Sequence, residues 1–331
     1  MDRYPQLPSL PLVVRADRSP TTMTHPVRVM RGIYTDQDLA SVKPWEARRE
    51  LSLARCVAVS QHVPSARCLS HESAALIHGL VVRAQEPDVS LVVRARPSRT
   101  VQPLPPVRVG QQDVRVRRRL LSVGEEDITV VGGLAVTTLL RTALDCAFDL
   151  PARESVCVVD SALRALARPE RYRRASSEQR AAEAGCALRR AVEAQPGRRG
   201  MRRARAVVAM ASAWAESPGE SVLRWFVTAL GLAVPVLQMA VEVEDSPDVF
   251  FPDLAWPSTR TYLEFDGELK YRDERSLWRE KRRRDTLSRM GWRGLHVTWA
   301  DLRDERGLRT RLLELLPPAA GTLRPVGDLW R

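Results

Sequence analysis

Between Phe250 and Asp266 the chain sets three carboxylates into segments otherwise built from bulky apolar residues: Asp253 in F-F-P-D-L-A-W, and Glu264 with Asp266 in T-Y-L-E-F-D-G. The turn-forming run P-S-T-R between them predicts that the two segments pair as an antiparallel hairpin. Successive strand side chains alternate between faces, so Glu264 and Asp266, two apart, leave the same face and the partner strand brings Asp253 beside them. Converging carboxylates repel one another and resist ionisation, whereas Mg²⁺ or Mn²⁺ relieves the repulsion and prefers hard oxygen ligands. The competing reading is a hairpin whose acids face solvent or arginine partners. Phe250, Phe251, Leu254, Trp256, Leu263 and Phe265 weigh against it, because they embed the acids in apolar strands. A metal held there can activate water and orient a phosphodiester, so hydrolysis of that bond is the matching chemistry.

Lysine usage bears on the same region. Of 52 basic residues only Lys43, Lys270 and Lys281 are lysines, and two of these three follow the acids closely. A lysine ammonium is a compact charge whose pKa shifts readily, which suits it to positioning water or neutralising phosphate. Lys281 falls in an amphipathic helix predicted over 274–290, with Glu280, Arg284 and Asp285 close enough to form a surface ion-pair network instead. Glu220 is a fourth acid candidate for the metal. Its first role reads as capping, since S-P-G-E at 217–220 has the form of a helix start with Ser217 as N-cap, Pro218 at the first position and Glu220 at the third.

Around these residues the pattern predicts helix (221–230), strand (234–243), strand (249–256), strand (260–266), helix (274–290), strand (293–299) and helix (300–315). Upstream, V-R-V-M-R-G-I-Y alternates like a strand and Trp45 to Val59 has helical spacing. Ser70 starts a short helix ended by Gly79, and Val89 to Val93 and Val107 to Val116 read as strands. Helices follow over 136–150 and 154–167, the second with Val156, Val159, Leu163 and Leu166 on one stripe. A basic helix over 171–195 and another over 201–214 complete this region. The expected fold class is therefore α/β (α+β). Its expected divisions are a Pro-rich, disordered leader at 1–25, an α+β region at 26–130, a helical Arg-rich connection at 131–214, and a C-terminal domain at 215–331.

The net charge of +12 is unevenly spread: residues 171–210 hold eleven arginines against Glu178, Glu183 and Glu193, a local excess of eight. Such a cluster concentrates polyanions, and Arg198, Arg199, Arg202, Arg203 and Arg205 are its candidate nucleic-acid contacts, although a solvated helix face has the same signature. Five cysteines without C-x-x-C spacing do not resemble a disulfide framework or a zinc site, which points to a reducing cytoplasm. Trp225 to Val241 is interrupted by Gly231, Pro235 and Gln238 and reads as a helix end and a strand, not a membrane span, and no signal peptide is expected. His71 and His78 share a helix face, where packed, hydrogen-bonded histidines are commoner than metal ligands.

From Asp253 to Leu302 the run P-D-L-A-W, E-F-D-G-x-L-K-Y, R-E-K-R-R-R-D and G-W-R-G-L-H-V-T-W-A-D-L resembles the DUF559 group of very-short-patch-repair-like nuclease domains, which are similar to the PD-(D/E)XK superfamily. The resemblance covers about 100 residues. It implies a restriction-endonuclease-like α-β-β-β-α-β domain in which Asp253 and Glu264 hold the metal. A lysine two residues past the glutamate is expected in that superfamily; here that position is Asp266, and a lysine displaced onto the next helix nominates Lys281, with Lys270 as the other candidate. The preceding half, with R-G-I-Y, L-S-H-E-S-A-A-L-I-H-G-L, T-T-L-L-R-T-A-L-D and D-S-A-L-R, resembles AbiEi-like antitoxin-domain proteins of actinobacteria. That likeness implies a DNA binder with an N-terminal winged helix, here degraded because the Pro-rich leader precedes R-G-I-Y, and a toxin protein as partner.

Two functions follow as expectations. One is a DNA-binding, Mg²⁺- or Mn²⁺-dependent endonuclease using Asp253, Glu264, Asp266 and Lys281 or Lys270. The other is a non-catalytic antitoxin or transcriptional regulator with an inactive nuclease fold, gripping phosphates through residues 171–210.

Overall fold

A computed structural model describes residues 5–17, 20–107, 113–243, 246, 248–267, 274–316 and 323–330, with only the helical backbone described for 274–280. Lys270 lies outside the described residues. The fold is α/β, and the chain divides into two compact units, Met1–Asp149 and Leu150–Arg331.

The first unit opens with strands β1 (Val14–Arg15), β2 (Pro26–Met30) and β3 (Ile33–Asp36), forming a sheet in the order β1-β3-β2. The segment read as one alternating strand is thus a hairpin, because Gly32 takes φ +70° and reverses the chain between Met30 and Ile33. The leader expected to be disordered is ordered over much of its length. Val14 and Arg15 add an edge strand to β3, Val13 is buried, and the Asp36 carboxylate accepts from the Thr24 and His25 amides at 3.1 and 2.6 Å. An edge position tolerates the prolines around it, since their missing N–H groups are not needed for pairing. Among the described residues no helix precedes the hairpin.

Next come α1 (Pro44–His62), β4 (Ala66–Leu69), α2 (His71–Ile77), β5 (Val89–Val93), β6 (Val101–Pro103), β7 (Arg115–Arg119), β8 (Ile128–Val131), β9 (Leu134–Thr137) and α3 (Leu139–Asp149). The strands β4 to β9 make a mixed sheet in the order β6-β7-β5-β4-β9-β8, parallel at β5–β7 and β4–β9. The helix expected from 136 begins at Leu139, because Leu134–Thr137 pairs with β8 and becomes a strand. Leu51, Leu53 and Val59 of α1 pack with Leu69, Leu91 and Val136 of the sheet as the core. Both histidines are hydrogen-bonded: His71 meets Ser70 Oγ at 2.9 Å and Asp149 at 2.8 Å, and His78 meets the Thr137 carbonyl at 2.8 Å.

The second unit consists of α4 (Ala152–Ala167), α5 (Arg174–Glu193), α6 (Met201–Met210), α7 (Pro218–Ala229), β10 (Val236–Leu237), β11 (Val241–Glu242), β12 (Val249–Phe250), β13 (Leu254–Trp256), β14 (Thr261–Phe265), α8 (Glu274–Arg289), β15 (Arg293–Val297), α9 (Trp299–Arg303) and α10 (Glu305–Leu315). Its main sheet runs β10-β13-β14-β15, antiparallel except for the parallel pair β14–β15, and β11–β12 is a separate ribbon. The strand expected over 249–256 is therefore broken, with Asp253 at the break. No helix among the described residues is long and apolar enough to cross a membrane.

The helical stretch 131–214, expected to connect two domains, is divided between the units: 131–149 belongs to the first and 150–214 to the second. The anchor of the latter part is Asp160 of α4, which accepts from the Ser212 amide and the Ser221 hydroxyl at 2.8 Å each and ion-pairs with Arg224 of α7. Val156, Val159 and Leu163 are buried as the stripe predicts, but Leu166 is exposed and Ala167 takes the inward position. Removing one member of a buried ion pair costs about 3–5 kcal/mol because the other charge stays buried without compensation. The Asp160→Ala variant is accordingly expected to melt roughly 10 °C below the wild type. A thermal scan showing a change within a degree or two would contradict this anchoring role.

Candidate metal centre

The acid cluster forms where the N-terminus of α7 meets the β13–β14 hairpin. Leu254 pairs with Leu263 and Trp256 with Thr261, the chain turning through Arg260 at φ +48°. This register carries Asp253, just before β13, alongside Glu264 and lets its Oδ2 accept from the Phe265 amide at 2.8 Å. On the other side, Ser217 caps α7 by accepting from the Glu220 amide at 3.2 Å, as the S-P-G-E pattern predicts. Gly219 permits the approach, because a methyl group there would overlap the Phe265 ring. Glu220 is left buried, its Oε2 accepting from the Glu216 amide at 2.9 Å.

Between the two acids lies Gln238, a residue whose sequence context argues only against a membrane span. Its amide nitrogen donates to Asp253 Oδ1 at 3.2 Å and faces Glu220 Oε2 at 3.4 Å. The backbone there is left-handed (φ +49°), which is costly for a residue with a side chain. Arg174 braces it by donating to the Leu237 and Gln238 carbonyls, each at 2.9 Å, with its guanidinium 3.9 Å from the Trp214 ring centre. Gln238 is 1% exposed, and its carbonyl oxygen Oε1 is buried with no hydrogen-bond partner among the described residues. The signal in the sequence was a lone amide inside an apolar run; that it meets Asp253 depends on the pairing of β10 with β13.

The electrostatics follow from burial. Loss of water pushes Glu220 up to about 8, with the Asp253 charge adding to the effect. Burial likewise raises Asp253, opposed by the Phe265 and Gln238 hydrogen bonds, and raises Glu264, opposed by Arg283.

Two nominated residues are placed differently from their expected roles. Lys281 is exposed, and the basic side chain of α8 that reaches the acids is Arg283, whose Nη2 ion-pairs with Glu264 Oε1 while its guanidinium lies 5.6 Å from the Phe250 ring centre. Positions two apart on a helix lie on different faces, so 281 and 283 cannot share this one. Asp266 sits beside Glu264 but its carboxylate meets His296 Nδ1 of β15 at 2.9 Å. His296 was missed because its position opposite Glu264 comes from a parallel crossover, which leaves no local mark in sequence.

Among the described residues no three His, Cys, Asp or Glu side chains are grouped closely enough to enclose a metal ion, and Arg283 supplies the positive charge at Glu264. The donor set nonetheless fits a hard divalent cation: carboxylates raised chiefly by burial, and one buried amide oxygen with no hydrogen-bond partner among the described residues.

The Arg-rich segment is largely engaged within the fold. Arg171 forks onto Glu216 at 3.2 and 2.7 Å, Arg180 donates to the Ala167 and Arg168 carbonyls, and Arg205 forks onto Glu193 at 2.8 and 2.5 Å. Of the nominated nucleic-acid contacts, Arg199, Arg202 and Arg205 are exposed, and Arg198 and Arg203 are half-buried.

The chain is 29% identical over 177 residues to an uncharacterized protein found in two strains of Mycobacterium tuberculosis, a match that covers 54% of this chain and 59% of each relative. No family model and no solved structure matches the chain.

Proposed function

We propose that the C-terminal unit is a divalent-cation-dependent DNA endonuclease. The observation that carries this reading is the pair of buried carboxylates Glu220 and Asp253 bridged by Gln238, whose carbonyl oxygen lacks a partner among the described residues. An uncompensated buried acid pair is costly to a fold, and its retention is explained if a cation completes it. Asp253, Glu220 and the Gln238 amide, already in contact with one another, would hold Mg²⁺ or Mn²⁺, with Glu264 available to join them once Arg283 leaves it. When bound, the ion supplies an activated water and charge neutralisation at the scissile phosphate.

The protein's own groups contribute the rest. Arg283, freed from Glu264, is placed to neutralise a phosphate oxygen, the part assigned by resemblance to a lysine. The Asp266–His296 pair holds an imidazole at the end of β15, where it can take or return a proton. Arg174 keeps Gln238 in its strained conformation.

A second reading is favoured by the Arg283–Glu264 ion pair: a nuclease fold in which arginine permanently replaces the metal, leaving a non-catalytic DNA-binding regulator. Incubating the purified protein with supercoiled, linear and single-stranded DNA in Mn²⁺, Mg²⁺ or EDTA separates the two. Cation-dependent strand cleavage is the expected result, together with a rise in melting temperature on adding Mn²⁺. Intact DNA in every arm, with no Mn²⁺ effect on melting, would overturn the endonuclease reading, and a gel shift that weakens steeply with salt would then support the regulator.

A further inference from the structure

The segment R-Y-R-R at 171–174 joins α4 to α5 beside the acid cluster, and its side chains divide into two sets. Arg171 and Arg174 are anchored: Arg171 forks onto Glu216 and lies 5.2 Å from the Phe251 ring centre, and Arg174 braces Gln238. Tyr172 and Arg173 point outward. Tyr172 is 85% exposed, more than any other described large hydrophobic residue, and the Arg173 side chain is 75% exposed. An exposed tyrosine is ordinarily free to reorient. This one has a ring neighbour, Phe251, at 5.5 Å and an interplanar angle of 85°, a T-shaped contact, and at 85% exposure most of its aromatic surface stays open to solvent.

Phe251 stands two residues before Asp253, and Glu216, which Arg171 grips, donates its amide to Glu220. One short segment therefore both supports the acid cluster and displays an aromatic face next to it. Arg168 and Arg173 lie exposed on either side; the carboxylates near them among the described residues are Glu170, 3.7 Å from Arg173 and 3.9 Å from Arg180, Glu178, paired with Arg174, and Glu216, paired with Arg171.

We propose that Tyr172, flanked by Arg168 and Arg173, is a stacking platform for an unpaired base of single-stranded DNA, which positions the adjoining backbone at the acid cluster. This rests on the endonuclease reading and specifies its substrate as DNA with an unpaired stretch, such as a single strand, flap or bubble. The combination required for such recognition is an aromatic face that any base can cover and cations that follow the backbone. A base in a closed duplex presents no face to stack on.

Binding measured in EDTA keeps this proposal separate from cleavage. Fluorescence anisotropy of a labelled oligo-dT strand and of a blunt duplex of equal length is to be compared for wild type, Tyr172→Ala and Tyr172→Phe. Tyr172→Ala is expected to weaken single-strand binding about tenfold with duplex binding unchanged, while Tyr172→Phe stays within about twofold of wild type. Equal single-strand affinity of wild type and Tyr172→Ala overturns the proposal, as does a wild type that binds duplex alone, or an equal loss in both variants. Each of these failures leaves the cleavage assay in Mn²⁺ to decide the endonuclease reading on its own.

Discussion

The double variant Asp253→Asn/Glu264→Gln is expected to lose on the order of 10²–10³-fold or more of any cation-dependent DNA cleavage, the loss typical of removing a preorganised charge-stabilising group, while remaining folded. Both replacements preserve shape. The amide introduced by Asp253→Asn retains an oxygen to accept from the Phe265 N–H, the bond that fixes this position against β14. They also remove charges that burial already disfavours, so the apo fold is relieved rather than burdened. Arg283 loses its ion-pair partner, but its side chain is 31% exposed and water can solvate it. The decisive comparison is rate per folded molecule in Mn²⁺, with melting curves recorded on the same samples. Equal cleavage by variant and wild type would remove these acids from the mechanism and assign the activity elsewhere.

Glu220 makes a second large prediction, in stability rather than rate. Its folded pKa of about 8 lies above the unfolded value near 4.5, so the native state binds the proton more tightly. Below the unfolded value both states are protonated and the residue contributes nothing. As pH rises from about 4.5 to about 8 the native state is progressively disfavoured, and above the folded pKa the full cost applies. At about 1.4 kcal/mol for each tenfold change in proton affinity, that cost is on the order of 5 kcal/mol. Glu220→Gln keeps an oxygen for the Glu216 amide and cannot ionise. In EDTA it is expected to match wild type at pH 5 and to exceed it by several kcal/mol at pH 8.5, measured by urea unfolding.

The same variant reports on the cation. A ligand that binds only the native state stabilises it by mass action. Mn²⁺ is expected to recover much of the wild-type loss at pH 8.5 and to add less to Glu220→Gln. A wild type whose stability does not fall between pH 5 and 8.5 would sink the assignment of Glu220 as a desolvated acid. Raised values at Asp253 and Glu264 act in the same direction, so the variant retains a weaker decline.

The acid hairpin is legible in the sequence because its causes are local. Two apolar runs separated by P-S-T-R specify an antiparallel pair, and a period of two places Glu264 and Asp266 together. Ser217 as a cap followed from S-P-G-E for the same reason, and so did the helix, strand and helix order around them. The edge strand at Val14 and Arg15 is not legible in the leader because proline content reports on helix and central-strand propensity, whereas these two residues only add an edge to a hairpin. That residues 150–214 of the expected connection 131–214 pack into the C-terminal unit is not legible locally, because Asp160 lies about 60 residues before Ser221 and Arg224 and a buried network leaves no periodicity to read.

By itself, then, the amino-acid order determined which segments become helices and strands near the site and which acids share a face, since periodicity, caps and turns act over a few residues. Tertiary structure alone decided which charges meet. Gln238 reaches Glu220 and Asp253, Arg283 rather than Lys281 reaches Glu264, and His296 takes Asp266, each through pairings of distant segments. Long-range partners are selected by the packing of whole elements and by the desolvation each buried charge must offset, quantities that exist only once the chain has folded.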